Sequence, residues 1–194
     1  ALVGIGEVRF SEGNHDAALS AFREAHARST LLHQRDPSNG HRLVDLAQAE
    51  YWIGFVALEQ GRLDDADTWF RRYRDSGQQL AALDPANFAW QRELSYGHHN
   101  LAVLEDARGR YAEAERQMLA ELELFGTWVE QRPDDHLLRS EMSDAASWLG
   151  SLTLRQGRLE EAEAYFLQQN ELLRALVTDD PRNARWKEQR HDAL

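Results

Sequence analysis

Apolar residues recur along the chain at helical intervals and not in the alternating pattern of strands. Between positions 88 and 107 they lie four, seven and three residues apart, at Trp90, Leu94, Leu101 and Leu104. This spacing places them on one face of an α-helix. The pattern predicts helices of about 20 residues, each roughly 30 Å long, over 40–59, 63–83, 88–107, 111–131, 136–155 and 159–178. It adds complete or partial helices over 1–12, 15–35 and 184–194, and it predicts no strand.

The helical pattern is itself repeated every 48 residues. All four prolines keep this interval, and four glycines keep it too: Pro37, Pro85, Pro133 and Pro181; Gly13, Gly61, Gly109 and Gly157. Three further columns hold small, bulky and small residues: Ala18, Ala66, Ala114 and Ala162; Phe22, Phe70, Met118 and Phe166; Gly6, Gly54, Ala102 and Gly150. Small residues let two helix backbones approach closely, so each repeated unit is predicted to be a helical hairpin.

The boundaries of the unit carry signals for the ends of helices. The repeated glycine allows the backbone to reverse, and acids such as Asp64 and Asp65 follow in a first turn, where the helix dipole favours them. The other boundary reads Asp84-Pro85-Ala86-Asn87 in one copy, with a proline that ends one helix and an Asn or Asp that can cap the next. We therefore expect short loops of two alternating types.

These features predict an all-α fold, an α-solenoid of antiparallel helical hairpins, formed by one domain over 1–194. The domain is divided into a partial repeat 1–36, repeats 37–84, 85–132 and 133–180, and a partial repeat 181–194. The chain starts without Met and inside a helix, and it stops part-way through a repeat, so we expect a fragment of a longer protein. Exposed apolar end faces would then let the fragment associate end to end.

Composition and charge narrow the class of partner. The formal net charge is −11, and the densest cationic cluster, Arg71-Arg72-Arg74, follows three aspartates with which it can pair. Phosphate-binding surfaces need clustered cations, so we expect no nucleic-acid partner. No apolar run approaches the roughly 18 residues that a membrane span requires, so we expect no membrane partner and take the cytoplasm as the default compartment. Without Cys, the sequence offers no disulfide, thiolate metal site or cysteine nucleophile.

Two segments resemble the tetratricopeptide repeat family. Trp52-Ile53-Gly54, Ala66 and Phe70 follow the order of its consensus, as do Trp148-Leu149-Gly150, Ala162 and Phe166. The usual unit has about 34 residues, and the 48-residue unit is most simply explained by seven residues added to each helix. The junction Asp84-Pro85-Ala86-Asn87-Phe88-Ala89-Trp90 is similar to that of a bacterial variant with long units. The resemblance implies a right-handed superhelix with a concave groove.

The resemblance also implies which residues line that groove, since the first helix of each hairpin faces it. Carried over column by column, they are Gln48, Tyr51 and Phe55; Tyr96, His99 and Val103; and Asp144, Ser147 and Ser151. Aromatic and polar side chains of this kind suit a peptide or helix of a protein partner. Acidic residues such as Glu93, Asp144 and Glu141 favour a neutral or basic one. In helices this long, the same nine residues can instead contact neighbouring repeats.

Catalytic and metal-binding patterns are missing from the sequence. The pair His98-His99 points in two directions on a helix, and no H-E-x-x-H sequence supplies two ligands on one face. His26 and His33 can share a face, but no acidic residue lies between them at ligand spacing. The glycines serve the turns and form no phosphate loop. We therefore predict no catalytic residue, no metal and no cofactor, and we expect the tryptophans to pack in the core.

Three functions stay open at this point. The first is a non-catalytic protein-interaction scaffold, which requires exposed groove residues. The second is a sensor domain that binds a small peptide or metabolite in a compact pocket and controls an attached effector domain. The third is an enzyme, which requires a metal or a cluster of groups with strongly shifted pKa values.

Overall fold

The computed structural model describes residues 2–192, with the side chains of residues 2–190. Its helices are α1 (Leu2–Ser11), α2 (His15–Arg35), α3 (Gly40–Glu59), α4 (Leu63–Leu83), α5 (Phe88–Ala107), α6 (Tyr111–Gln131), α7 (His136–Arg155), α8 (Leu159–Asp179) and α9 (Ala184–Asp192). No strand occurs within this range. The predicted all-α fold, a helical-repeat solenoid, is confirmed, and every helix bound lies within two residues of its prediction. The predicted helical positions 1, 193 and 194 lie outside the described residues.

Glycine turns and Asn caps join the helices as the repeat pattern predicts. Gly61 adopts φ +69°, a left-handed conformation that glycine enters without steric cost. The amide of Arg62 then donates to the carbonyl of Ala57 at 2.9 Å and closes the end of α3. At the other boundary, Asn39 Oδ1 accepts a hydrogen bond from the amide of Arg42 at 3.4 Å and caps α3. These local bonds set where each helix begins and ends.

The small and bulky columns meet inside the hairpins. A Cβ atom added to Gly54 would lie 2.7 Å from the Phe70 ring, and one added to Gly150 would lie 2.6 Å from the ring of Phe166. Since both distances are shorter than carbon atoms tolerate, the phenylalanine rests directly on the backbone of the first helix. The predicted close approach of the two helices is confirmed in these hairpins.

The chain divides into two compact units, Ala1–Leu104 and Glu105–Leu194, which we call the N-terminal and C-terminal units. The core of the N-terminal unit consists of three clusters: Ala18, Leu19, Phe22, Ile53 and Val56; Ala57, Ala66, Phe70, Leu101 and Leu104; Leu43, Leu46 and Leu80. The C-terminal unit buries its own apolar residues, among them Met118, Phe125, Leu138, Leu149, Leu173 and Leu176. That residues 1–194 form one repeat domain stays a prediction.

The tryptophans lie in the core or at its edge. Trp128 is buried in the C-terminal unit. Trp52, Trp69 and Trp90 are half-buried and pack against the core clusters of the N-terminal unit. Their rings therefore serve packing within the repeats.

Helices α4 and α5 approach each other more closely than any repeated column predicts. A Cβ atom on Gly77 would lie 2.8 Å from the backbone of Glu93 and Leu94. One on Gly97 would lie 2.6 Å from the Cα atom of Arg74. Because backbone atoms cannot move aside as a flexible side chain does, both positions require glycine.

We predict that Gly77→Ala lowers the free energy of unfolding by about 1–2 kcal/mol, since the overpacking penalty exceeds the gain in helix propensity. Gly126→Ala is the matched control, because α6 leaves open space around that position. The control should raise stability by about 0.5–1 kcal/mol. Urea unfolding followed by circular dichroism measures both variants. Stabilisation by both substitutions would contradict the close contact of α4 with α5.

Candidate functional site

The structure places none of the nine predicted groove residues in the buried core. On α3, Gln48 is exposed and Tyr51 and Phe55 are half-buried. On α5, Tyr96 is 38% exposed, and His99 and Val103 are half-buried. On α7 of the C-terminal unit, Asp144, Ser147 and Ser151 are half-buried. Spacings of three and four residues put the members of each set on one face of their helix. That they line a binding groove stays a prediction.

Aromatic rings from three helices support the α3 face of the N-terminal unit. The Tyr51 ring lies 5.8 Å from Phe55 in a stacked arrangement and 5.6 Å from Tyr73 of α4. Phe10 of α1 lies 5.5 Å from Phe55. We call Phe10, Tyr51, Phe55 and Tyr73 the aromatic cluster. Ring pairs at these distances stabilise the fold by more than the apolar area that they bury. The partly exposed Tyr51 and Phe55 are therefore held in place by their contacts with Phe10 and Tyr73.

A partly buried hydrogen bond connects the aromatic cluster to α5. The Tyr73 hydroxyl, in a residue only 4% exposed, donates to Glu93 Oε2 at 2.7 Å. Burial raises the pKa of Tyr73, and the Glu93 carboxylate raises it further. The nearby phenols of Tyr51 and Tyr96 raise it as well. Both candidate tyrosines therefore lie near the Tyr73 phenol. Sequence analysis missed Tyr73, although its spacing of three from Phe70 on the buried face of α4 could have indicated it.

The position of the Glu93 carboxyl makes its ionisation less favourable. Burial raises its pKa, while the Tyr73 hydroxyl and the Arg92 guanidinium act in the opposite direction. Glu93 was expected to give the groove negative charge, but it lies half-buried and points at a phenol. Its main role in this structure is to link α4 and α5.

The exposed side of α5 combines an arginine with two rings. The Arg92 guanidinium lies 5.3 Å from the Tyr96 ring centre and 5.9 Å from that of Phe88, and it also donates to the Tyr96 hydroxyl. Cation–π contacts of this kind contribute about 0.5–1 kcal/mol at exposed sites. Tyr96 is therefore presented in a fixed orientation, with one side turned to solvent.

A fully buried carboxylate also lies in the N-terminal unit. Glu50 is 5% exposed, and its Oε2 accepts a hydrogen bond from the Ser76 hydroxyl at 2.7 Å. His26 Nε2 lies 3.8 Å from Glu50 Oε1, and the His26 ring packs edge-on against Trp69. Since the serine donates to the carboxylate and not to the histidine, the arrangement does not match that of a nucleophilic triad. Among the described residues, no group of three potential metal ligands occurs.

In the C-terminal unit, two side chains of α9 lie beside Asp144. Gln189 Nε2 donates to Asp144 Oδ1 at 3.1 Å, and Arg185 lies 3.8 Å from the other oxygen. The Ser151 hydroxyl donates to the Ser147 carbonyl at 3.1 Å, within its own helix. Asp144 and Ser151 therefore both have hydrogen-bond partners within the C-terminal unit.

Comparison with family models identifies the repeats by sequence. Two models, each described as tetratricopeptide repeat, match residues 99–169 and residues 47–72. No curated protein sequence matches the chain significantly. Among residues that the structure describes, no helix is both long and apolar enough to cross a membrane.

Comparison with solved structures gives the same fold at low sequence identity. BtubC from P. vanneervenii matches with a TM-score of 0.63 at 18% identity, over 88% of this chain and 61% of its own. The Rap conjugation gene regulator of plasmid pLS20, solved with a Phr peptide, matches with a TM-score of 0.58 at 18% identity, over 92% of this chain and 42% of its own. PilF of Pseudomonas aeruginosa matches with a TM-score of 0.55 at 18% identity, over 100% of this chain and 75% of its own. The chain thus spans less than two thirds of the first two structures.

We predict that Tyr73→Phe destabilises the protein by about 1–3 kcal/mol at pH 7, because it leaves a half-buried carboxylate without its hydroxyl donor. The hydroxyl favours ionised Glu93, so the loss should shrink towards pH 4, where the carboxyl is protonated. Chemical unfolding of both proteins at several pH values measures this difference.

The control for this pH dependence is the same substitution in a Glu93→Gln background. Burial raises the pKa of folded Glu93 from its usual 4.5. The folded state therefore favours the protonated carboxyl; this stabilisation is full below pH 4.5 and is lost as pH rises through the folded pKa. Glu93→Gln removes this loss, so the cost of Tyr73→Phe should become independent of pH. A cost that keeps its pH dependence in this background would contradict the coupling of Tyr73 to Glu93.

Proposed function

Because this chain belongs to the tetratricopeptide repeat family, whose repeats generally form non-catalytic protein-interaction scaffolds, we propose that it binds a peptide or helix of a partner protein. Tyr51 and Phe55 of α3 and Tyr96 of α5 are the proposed anchors. Gln48, His99 and Val103 flank them on the same two helices. The observation that carries the proposal is the set of partly exposed rings on a rigid support in the N-terminal unit.

The rigidity of the rings supports their role as anchors. Tyr51 and Phe55 rest on Phe10 and Tyr73, and Tyr96 is held by the Arg92 guanidinium. A side chain that is ordered before binding loses little conformational entropy when a partner arrives. Tyrosine also offers a large ring face together with a hydroxyl that can orient a peptide backbone.

The C-terminal unit would contribute polar contacts of its own. Asp144, Ser147 and Ser151 share one face of α7 and have half-buried side chains. Hydroxyls and carboxylates of this kind fix orientation and specificity more than they add affinity. We propose that they contact polar groups of a partner protein.

A sensor domain is the second candidate function. The Rap conjugation gene regulator, which shares this fold with a TM-score of 0.58, was solved in complex with a peptide. A regulatory domain would bind a small peptide or metabolite and change the arrangement of its helices to control an attached effector. Small-angle scattering separates the two candidates, since a sensor changes its radius of gyration on binding and a scaffold does not.

We predict that peptides selected from a random display library against the immobilised protein bind through Tyr96. Tyr96→Ala should weaken them about tenfold or more, as truncation of an aromatic hot spot does. Isothermal titration calorimetry with the synthesised peptides measures the change. Leu83→Ala is the control, because Leu83 of the same unit is similarly exposed, at 42% against 38% for Tyr96.

Affinities that stay equal in the protein, in Tyr96→Ala and in a Tyr51→Phe/Gln48→Ala variant would exclude the α3 and α5 faces as the binding surface. Circular dichroism must show unchanged helicity for each variant, since Tyr51 belongs to the aromatic cluster. Equal weakening by Leu83→Ala would indicate a general loss of structure and would also count against the proposal.

A further inference from the structure

Side chains from three helices of the N-terminal unit meet at one buried carboxylate. Glu50 of α3 accepts a hydrogen bond at its Oε2 atom from Ser76 of α4, at 2.7 Å. Its other oxygen, Oε1, faces His26 of α2, whose Nε2 atom lies 3.8 Å away. The Glu50 carboxylate therefore has a hydroxyl donor on α4 and an imidazole on α2.

The contact between His26 and Glu50 depends on the charge of the histidine. Its length of 3.8 Å exceeds the roughly 3.2 Å that a good hydrogen bond allows, so a neutral imidazole adds little to it. An imidazolium attracts the carboxylate over this distance, because charges withdrawn from water interact strongly. Histidine side chains change charge between about pH 5 and pH 8. The strength of the contact therefore varies within this range.

Trp69 of α4 holds the His26 ring beside the carboxylate. The two rings pack edge-on with their centres 4.9 Å apart, and the His26 side chain is only 19% exposed. The imidazole cannot turn out into water without losing this packing. A proton on its Nε2 atom therefore stays next to Glu50.

Other charged groups around His26 are exposed to solvent. Arg72 of α4 places its guanidinium 4.8 Å from the centre of the same indole ring, and Arg23 precedes His26 by one turn on α2. The charged residues of α1, Glu7 and Arg9, are exposed as well. Arg72 repels an imidazolium and the buried Glu50 carboxylate attracts one. Water and salt screen the buried charge less than they screen the exposed ones.

The combination of a histidine with an acid belongs to this repeat junction alone. The equivalent pairs of positions at the other junctions hold Arg74 with His98, Leu122 with Ala146, and Asn170 with Leu194. The junction of α2 with α3 and α4 therefore has a pH response that its counterparts do not share.

We propose that His26 and Glu50 form a pH-sensitive latch, which holds α2 against α3 and α4 when His26 is protonated and loosens when His26 loses its proton. A histidine that gains an acidic partner in the folded state stabilises that state at acidic pH, and this stabilisation is lost as pH rises. The latch is a property of the N-terminal unit itself and does not depend on the proposed binding of a partner protein.

A double-mutant cycle measured at two pH values tests the latch. His26→Gln, Glu50→Gln and the double variant each replace a titratable side chain with a neutral amide, and urea unfolding gives the equilibrium constant for unfolding of each protein. At about pH 5.5 the double variant should unfold less readily than the two single effects multiplied together predict, by a factor of about five or more. At about pH 8 this coupling factor should fall towards one.

His41→Gln is the matched control for the loss of a histidine. The His41 ring packs edge-on against Trp90, as His26 packs against Trp69. His41 is exposed, however, and an exposed ion pair contributes little to stability. Its substitution should therefore change the unfolding constant by the same factor at both pH values.

A coupling factor that is equal at the two pH values, or close to one at both, would overturn the latch. If one single variant does not fold, the other decides by comparison with the unchanged protein. The cost of His26→Gln or of Glu50→Gln must then be larger at the acidic pH, and a cost that is independent of pH would overturn the proposal.

Discussion

The contact between a phenylalanine ring and a glycine backbone sets the distance between the two helices of a hairpin. Phe70 lies on Gly54 and Phe166 lies on Gly150, each at a separation that leaves no room for a Cβ atom. A phenylalanine buries a large apolar area, and it can do so here only because the facing residue has no side chain. The burial of neighbouring aliphatic residues between the two helices depends on this approach. A hairpin with a larger residue at Gly54 would have to separate its helices and expose Phe70.

Polar side chains inside the N-terminal unit give this apolar framework its specific pairing of helices. Tyr73 on α4 and Glu93 on α5 form a hydrogen bond, and Glu50 on α3 accepts one from Ser76 on α4. A carboxylate withdrawn wholly or partly from water without a donor is costly, so each bond favours one alignment of its helices over neighbouring ones. Tyr73, a member of the aromatic cluster, is the donor of the first of these bonds. The orientation of the candidate binding residues thus depends on a polar contact in the core.

Features that recur every 48 residues could be predicted from the sequence, and features that occur once could not. The helix bounds and the turn at Gly61 follow from columns that four copies share. Tyr73 has no such column, because Ala25, Glu121 and Gln169 occupy the equivalent positions. Its hydrogen bond with Glu93 depends on a pair of residues in one repeat only. The candidate residues could be named from the family resemblance, but their packing against Phe10 and Arg92 required the structure.

The glycine contact between α4 and α5 means that the repeats are not interchangeable parts. Buried residues of very different size occupy the positions equivalent to Gly77: Ser29, Phe125 and Leu173. If the helix that carries Phe125 were placed beside α5, its ring would collide with the backbone of Glu93. If an array lengthened by copying whole repeats, a copy of the repeat that carries Phe125 would not fit at this junction. At this junction, steric fit therefore restricts which repeat can precede α5, although the shared pattern makes the repeats look equivalent.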